Sequence, residues 1–122
     1  MHDTELRKTW IFDLDGTILV HGGVFVGNRW TDELLPHTLE VWRRIPPEDT
    51  IVLITARPEK LREATIDFLA FHDLRYDHLI FGVGAGPRIL FNDTKPNGTV
   101  TAIGVPVERD IGVTTPMIEN YL

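Results

Sequence analysis

No cysteine occurs among the 122 residues, so disulfides, Cys-ligated zinc and thiol chemistry are all excluded. No apolar run approaches the roughly 20 residues of a membrane-spanning helix. The polar opening stretch MHDTELRKTW has no apolar signal core. The expectation is a soluble, cytoplasmic protein with no membrane partner. Positive charge is also in short supply: 12 Lys and Arg stand against 18 Asp and Glu, a net charge of −6. That balance makes nucleic acid an unfavoured partner without excluding a local basic pocket. Internal repeats and low-complexity segments are absent. Two Asn-x-Thr triplets, Asn92-Asp93-Thr94 and Asn97-Gly98-Thr99, are not read as glycosylation sites, because no secretory signal accompanies them.

What remains is enough apolar residue, 43% of the chain, to build one core, and the length fits a single domain over 1–122. The chain is organised around Trp10-Ile11-Phe12-Asp13-Leu14-Asp15-Gly16-Thr17. A continuous apolar run of this kind predicts a strand buried on both faces, as in a parallel sheet, here about 9–14. Gly16 ends it, so Asp13 and Asp15 stand where a strand gives way to a loop, the place where open α/β sheets bind ligands. Alternate residues of a strand share a face, about 6.6 Å apart. This spacing suits a shared metal, or a nucleophile beside an acid/base.

Beyond Thr17, the short runs Ile18–Val20 and Val24–Val26 around Gly22-Gly23 predict a small hairpin or flap, about 18–30, over the end of the first strand. Leu35, Leu39, Trp42 and Ile45 give helical spacing over 33–44, with Thr31 and Asp32 as caps, and Pro46-Pro47 ends the helix. Ile51–Ile54 predicts a second strand, 50–55, and Pro58 opens a helix that runs to about Phe71. A third strand is predicted over 76–83, a fourth over 88–93 and a fifth over 101–107, with a helical turn or two after Thr115. Alternating strands and helices make the class α/β, with a mainly parallel five-stranded sheet.

Three of these strand ends carry chemistry: Asp13 and Asp15, Thr55, and Asn92 with Asp93. An Asp carboxylate can attack phosphorus and divide one hard displacement into two. A second carboxylate can protonate the leaving oxygen and then activate water. Clustered hard oxygens favour Mg2+, with Asp13, Asp15 or its backbone carbonyl, and Asp93 as ligands and Asn92 as an alternate. Thr55 and the Ala56 amide, ahead of a helix, offer an anion site. A cation must still offset charge in phosphoryl transfer; Arg88 and Lys95 are the nearest candidates. Arg57 either reaches a substrate phosphate or pairs at the surface, and His21 in the flap is a further candidate substrate contact.

Phe12-Asp13-Leu14-Asp15-Gly16-Thr17, Leu53-Ile54-Thr55-Ala56-Arg57-Pro58 and Leu90-Phe91-Asn92-Asp93 resemble motifs I, II and IV of the haloacid dehalogenase-like (HAD) phosphohydrolases. The resemblance spans residues 12–93. It implies a Rossmann-like sheet of order 5-4-1-2-3 with helices on both faces, Mg2+ and an aspartyl-phosphate intermediate. In that scheme Asp13 is the nucleophile, Asp15 the general acid/base, Thr55 a phosphate ligand and Asp93 a metal ligand. The second Asp of motif I marks phosphatases and phosphomutases rather than dehalogenases. Motif III, usually a Lys, is filled by Arg88 or Lys95. The intervals Asp15–Thr55 and Thr55–Asp93 leave no room for a cap domain. A capless member has an open site, suited to a sugar phosphate or a larger phosphorylated molecule, or closed by a second subunit in a homo-oligomer. The expected activity is phosphomonoester hydrolysis. The alternatives are a polynucleotide 3′-phosphatase and a catalytically weak, phosphate-binding regulatory domain.

Overall fold

The computed structural model describes residues 6–26 and 29–122. The start of the polar lead-in, 1–5, and residues 27–28 of the expected flap lie outside them. The fold is α/β, built on a three-stranded parallel sheet of order β1-β4-β5. Strand β1 (Thr9–Asp13) pairs with β4 (Thr50–Ile54), which pairs with β5 (His78–Ile80). The register sets Asp13 level with Ile54, and Ile54 level with Ile80, so the three strands end together.

One face of this sheet holds the core. Phe12, Ile51 and Leu53 bury their side chains there with Val41 and Trp42 of α1 (Thr38–Arg44) and Leu69 of α2 (Arg62–Phe71). The Phe12 and Trp42 rings stand 4.6 Å apart. Both crossovers step across the sheet in the same direction, and right-handed crossovers of that kind place their helices on one face. The short α3 (Thr115–Ile118), with Pro116 in its first turn, sits against α1. On the opposite face Ile11 is 50% and Ile80 48% exposed, and no helix among the described residues covers them.

Helix α1 begins at Thr38 rather than near residue 33. Residues 33–35 are committed elsewhere: Leu35 N–H donates to Ile18 O, Val20 N–H donates to Glu33 O, and Leu19 bridges Leu34. The flap likewise pairs one step later than its Gly22-Gly23 turn suggests. Its strands are β2 (Val24–Val26) and β3 (Arg29–Thr31), antiparallel, while Ile18 and Leu19 join residues 34–35. The helix expected from Pro58 starts as a 3-10 turn, Glu59–Leu61, before α2.

The chain alone forms three of the five strands expected. Residues 81–113 contain no regular strand or helix. Segments 88–93 and 101–107 instead form the two limbs of an exposed arm. They touch through Asn92 Nδ2 donating to Thr101 O (3.0 Å), the Thr101 hydroxyl donating to Asp93 O, and Lys95 N–H donating to Thr99 O (3.1 Å). Ile89, Leu90, Phe91, Val100, Ile103 and Val105 are all exposed on this arm.

Candidate functional site

Past Asp13 the chain turns tightly. The Leu14 carbonyl accepts from the N–H groups of Thr17, Ile18 and Leu19 at 3.0–3.1 Å. Gly16 makes the turn possible with φ +84°, a value that costs other residues strain. The loop is clamped from outside by residues 110–113. Asp110 N–H donates to Gly16 O (2.9 Å), His21 N–H donates to Asp110 Oδ1 (2.7 Å), and Val113 N–H donates to Thr17 O (3.2 Å). Gly112, also at positive φ, packs so closely that a Cβ there would lie 2.4 Å from Thr17 O.

Arg57 is the organising cation. Its Nε and Nη2 donate to Asp15 Oδ2 and Oδ1 at 3.0 and 2.7 Å, and its Nη1 and Nη2 donate to Asp32 Oδ2 and Oδ1 at 3.0 and 2.7 Å. Nη1 also donates to Thr65 Oγ1 at 2.9 Å. The guanidinium fork therefore grips two carboxylates at once, the geometry that distinguishes Arg from Lys. Burial disfavours its charge, but the hydrogen bonds and charges of Asp15 and Asp32 outweigh burial and hold it protonated even more firmly than usual. Each Asp15 oxygen accepts one N–H here and retains a second lone pair for other work.

Asp13 lies in a different environment. Burial, the largest influence, raises its pKa above the ordinary Asp value, and the Asp15 charge adds to the rise. The Leu14 amide, Arg88 and the Thr17 hydroxyl pull the other way without cancelling it. Arg88 Nη2 stands 3.6 Å from Asp13 Oδ1. Its Nη1 donates to the carbonyls of Gly84 and Gly86 at 2.5 and 2.7 Å, so the 84–86 loop aims it.

Thr55 follows the end of β4. It is buried, its N–H donates to Ile80 O, and its hydroxyl oxygen accepts from Arg57 N–H at 3.0 Å. The N–H groups of Ala56 and Asp15, and the Asp15 carbonyl, make no hydrogen bond among the described residues. Asp13, Asp15, Gly16, Thr17, Val107 and Arg109 line a cavity of about 280 Å³. A larger depression of about 420 Å³ lies over Glu59–Asp67; it is the outer surface of one helical segment and holds none of these groups.

Asp13 and Asp15 line one cavity and Arg88 stands against Asp13, while Thr55 and Ala56 follow directly on the end of β4, which is level with Asp13. Asp93, Asn92 and Lys95 are not among them: they sit on the exposed arm, and no cluster of three His, Asp or Glu side chains fit for a metal occurs among the described residues. Sequence reasoning missed Asp32, read as a helix cap, and Thr65 on α2; both accept hydrogen bonds from Arg57. It also missed Arg109, whose side chain packs over Gly16. A cation two residues past the fifth apolar run gave no spacing signal. The chain matches no protein-family model, no curated protein and no solved structure.

Proposed function

We propose that the protein is a HAD-type phosphomonoester hydrolase dependent on Mg2+. One observation carries this reading: Asp13 and Asp15, at the end of β1, line one cavity, with the Arg88 guanidinium 3.6 Å from Asp13. A phosphate entering the cavity would meet the unbonded Asp15 N–H and the positive charges of Arg109 and, beside Asp13, Arg88.

Asp13 attacks phosphorus, forming the aspartyl–phosphate bond as the ester P–O bond breaks. Asp15 gives its proton to the departing alkoxide, then takes one from the water that cleaves the acyl phosphate. Phosphate leaves and Asp13 returns as a carboxylate. Arg57 fixes the direction of the Asp15 carboxylate throughout, and so acts as a positioning residue.

Mg2+ fits the donor chemistry in part. Asp13 is a hard oxygen ligand whose charged form burial disfavours, and the unbonded Asp15 carbonyl is a second such donor. A dication there would supply charge for the phosphate oxygens. Asp93, the third ligand expected, belongs to the segment that would complete a sheet of order 5-4-1-2-3 beside β1. The substrate class is a phosphomonoester with room to extend, a sugar phosphate or a larger phosphorylated molecule.

The test is an Asp13→Asn protein assayed against a phosphomonoester panel with Mg2+. Turnover should fall about 10³-fold or more, as removal of a nucleophile does. Retained Mg2+-dependent turnover would sink the assignment.

A further inference from the structure

Two surfaces in this chain lack partners and match one another. The first is the edge of β1 facing away from β4: among the described residues Thr9–Asp13 pairs on one side only. An open edge offers a row of free N–H and C=O groups to any extended segment, and Ile11 is half-exposed beside it. The second is the arm. Ile89 is 78% and Phe91 88% exposed, and a contiguous apolar surface of this kind marks an interaction site.

The two segments share a pattern, an apolar run that ends in Asp. Strand β1 reads Thr-Trp-Ile-Phe-Asp and the arm segment 89–93 reads Ile-Leu-Phe-Asn-Asp. Both are five residues long and both end in Asp. Between residues 89 and 107 the only charges are Asp93 and Lys95, so the arm is neutral in a chain of net charge −6 and carries no repulsion to a second copy.

The chain does not lay this segment along its own β1. Gly82 N–H donates to Arg57 O, Val83 N–H donates to Thr55 O, and Arg88 is held at Asp13. The arm therefore leaves from the carboxyl end of its own sheet. Running parallel to its own β1 would require a return of about 17 Å to the amino end first. A second copy removes the conflict. When two β1 edges face each other antiparallel across a two-fold axis, an arm leaving the carboxyl end of one sheet starts at the amino end of the other.

We propose that two copies exchange arms, each laying Ile89–Asp93 parallel along the free edge of the other's β1, so that Asp93 of the partner subunit enters the Asp13–Asp15 site. With ends level, Asp93 of the partner subunit lies one strand spacing, about 4.8 Å, from Asp13, and the partner's Phe91 lies opposite Ile11. The assignment of Asp93 as a ligand rests on the hydrolase reading above; the exchange itself does not. Each site is incomplete without the second chain.

The 122-residue protein should measure as a dimer by light scattering; a 13.9 kDa monomer at all concentrations overturns the proposal. Because the chain has no cysteine, an Ile11→Cys/Phe91→Cys protein reports the pairing directly. Oxidation should give a disulfide-linked dimer on a denaturing gel. An intrachain disulfide at monomer mass, or no disulfide, overturns it. Phe91→Asp, at an exposed position that the fold does not need, should yield a folded monomer; a surviving dimer again overturns it. Finally, inactive Asp13→Asn and Asp93→Asn proteins, unfolded and refolded together in equal amounts, should regain about a quarter of wild-type turnover, since half the dimers are mixed and each has one intact site. No recovery overturns delivery of Asp93 across the dimer. A cross-linked wild-type dimer without phosphatase activity refutes the hydrolase reading alone, and an active monomer refutes the exchange alone.

Discussion

At the scale of single residues, the role proposed for Asp13 sets chemistry against stability. Its carboxyl pKa is raised in the folded protein, chiefly by burial, so the native state holds its proton to higher pH than the unfolded chain does. Between the ordinary Asp value and that raised value, stability falls as pH rises. Asp13→Asn removes this slope, and at neutral pH it should melt at the same temperature as the wild type or higher while losing turnover. A lower melting point at pH 7 than at pH 4, relative to wild type, would contradict that sign. Arg57 poses the opposite case. Replacing it with Met leaves Asp15 and Asp32 facing one another without their shared cation, and breaking such a largely buried arrangement costs about 3 kcal/mol. Arg57→Lys restores the charge but not the fork. It should recover most of the stability and little of the turnover, because Asp15 is no longer aimed. Denaturant unfolding beside steady-state kinetics separates the two effects.

At the scale of elements, the contacts that hold the site come from segments with no regular structure. Gly112 and Asp110 clamp the loop after β1, and Gly112→Ala would drive a Cβ into Thr17 O at a positive φ. The cost should be at least about 1–3 kcal/mol, with turnover lost because Thr17 and Gly16 line the cavity. Asp49 does similar work at the other end of β1. It is buried and accepts from Lys8 N–H (3.0 Å) and Trp10 Nε1 (2.9 Å), with the Lys8 ammonium at 3.2 Å. Burial alone would raise its pKa, yet these donors and the Lys8 charge bring it below the ordinary value. Its stabilisation is therefore present above the ordinary Asp pKa and is lost as pH falls through the lowered one. Asp49→Ala should cost about 1–3 kcal/mol at pH 7 and progressively less in acid. Strands β1, β4 and β5 were legible in the sequence because each is a bounded apolar run, although such runs suggest burial on both faces and here Ile11 and Ile80 stay about half exposed. The clamp was not, since Asp110 and Gly112 act through backbone hydrogen bonds and a close approach that leave no periodicity. Arg57, Asp32 and Thr65 were visible only as separate residues; their convergence depends on the β1–β4 register. The runs at 88–93 and 101–107 have the composition of strands, but composition does not supply a sheet edge to pair with, and neither run forms a strand in this structure.

At the scale of the whole molecule, the open edge of β1, the bare sheet face at Ile11 and Ile80, and the apolar arm leave this chain with unusually little of its strand-forming sequence paired. Arm exchange would make folding and association one process. The melting temperature then depends on protein concentration, because a partner that binds only the folded state stabilises it by mass action. A tenfold rise in concentration is worth about 1.4 kcal/mol per dimer, which for a domain of this size is a shift of a few degrees. The wild type should show that shift across a hundredfold dilution series, and Phe91→Asp should melt at one temperature throughout. Salt gives an independent check. The bodies carry the net charge of −6 and the arms none, so screening relieves repulsion between bodies without weakening apolar arm contacts. Moderate NaCl should therefore tighten the dimer. Dissociation on adding salt would mean that charged contacts, not the arms, hold the two copies together.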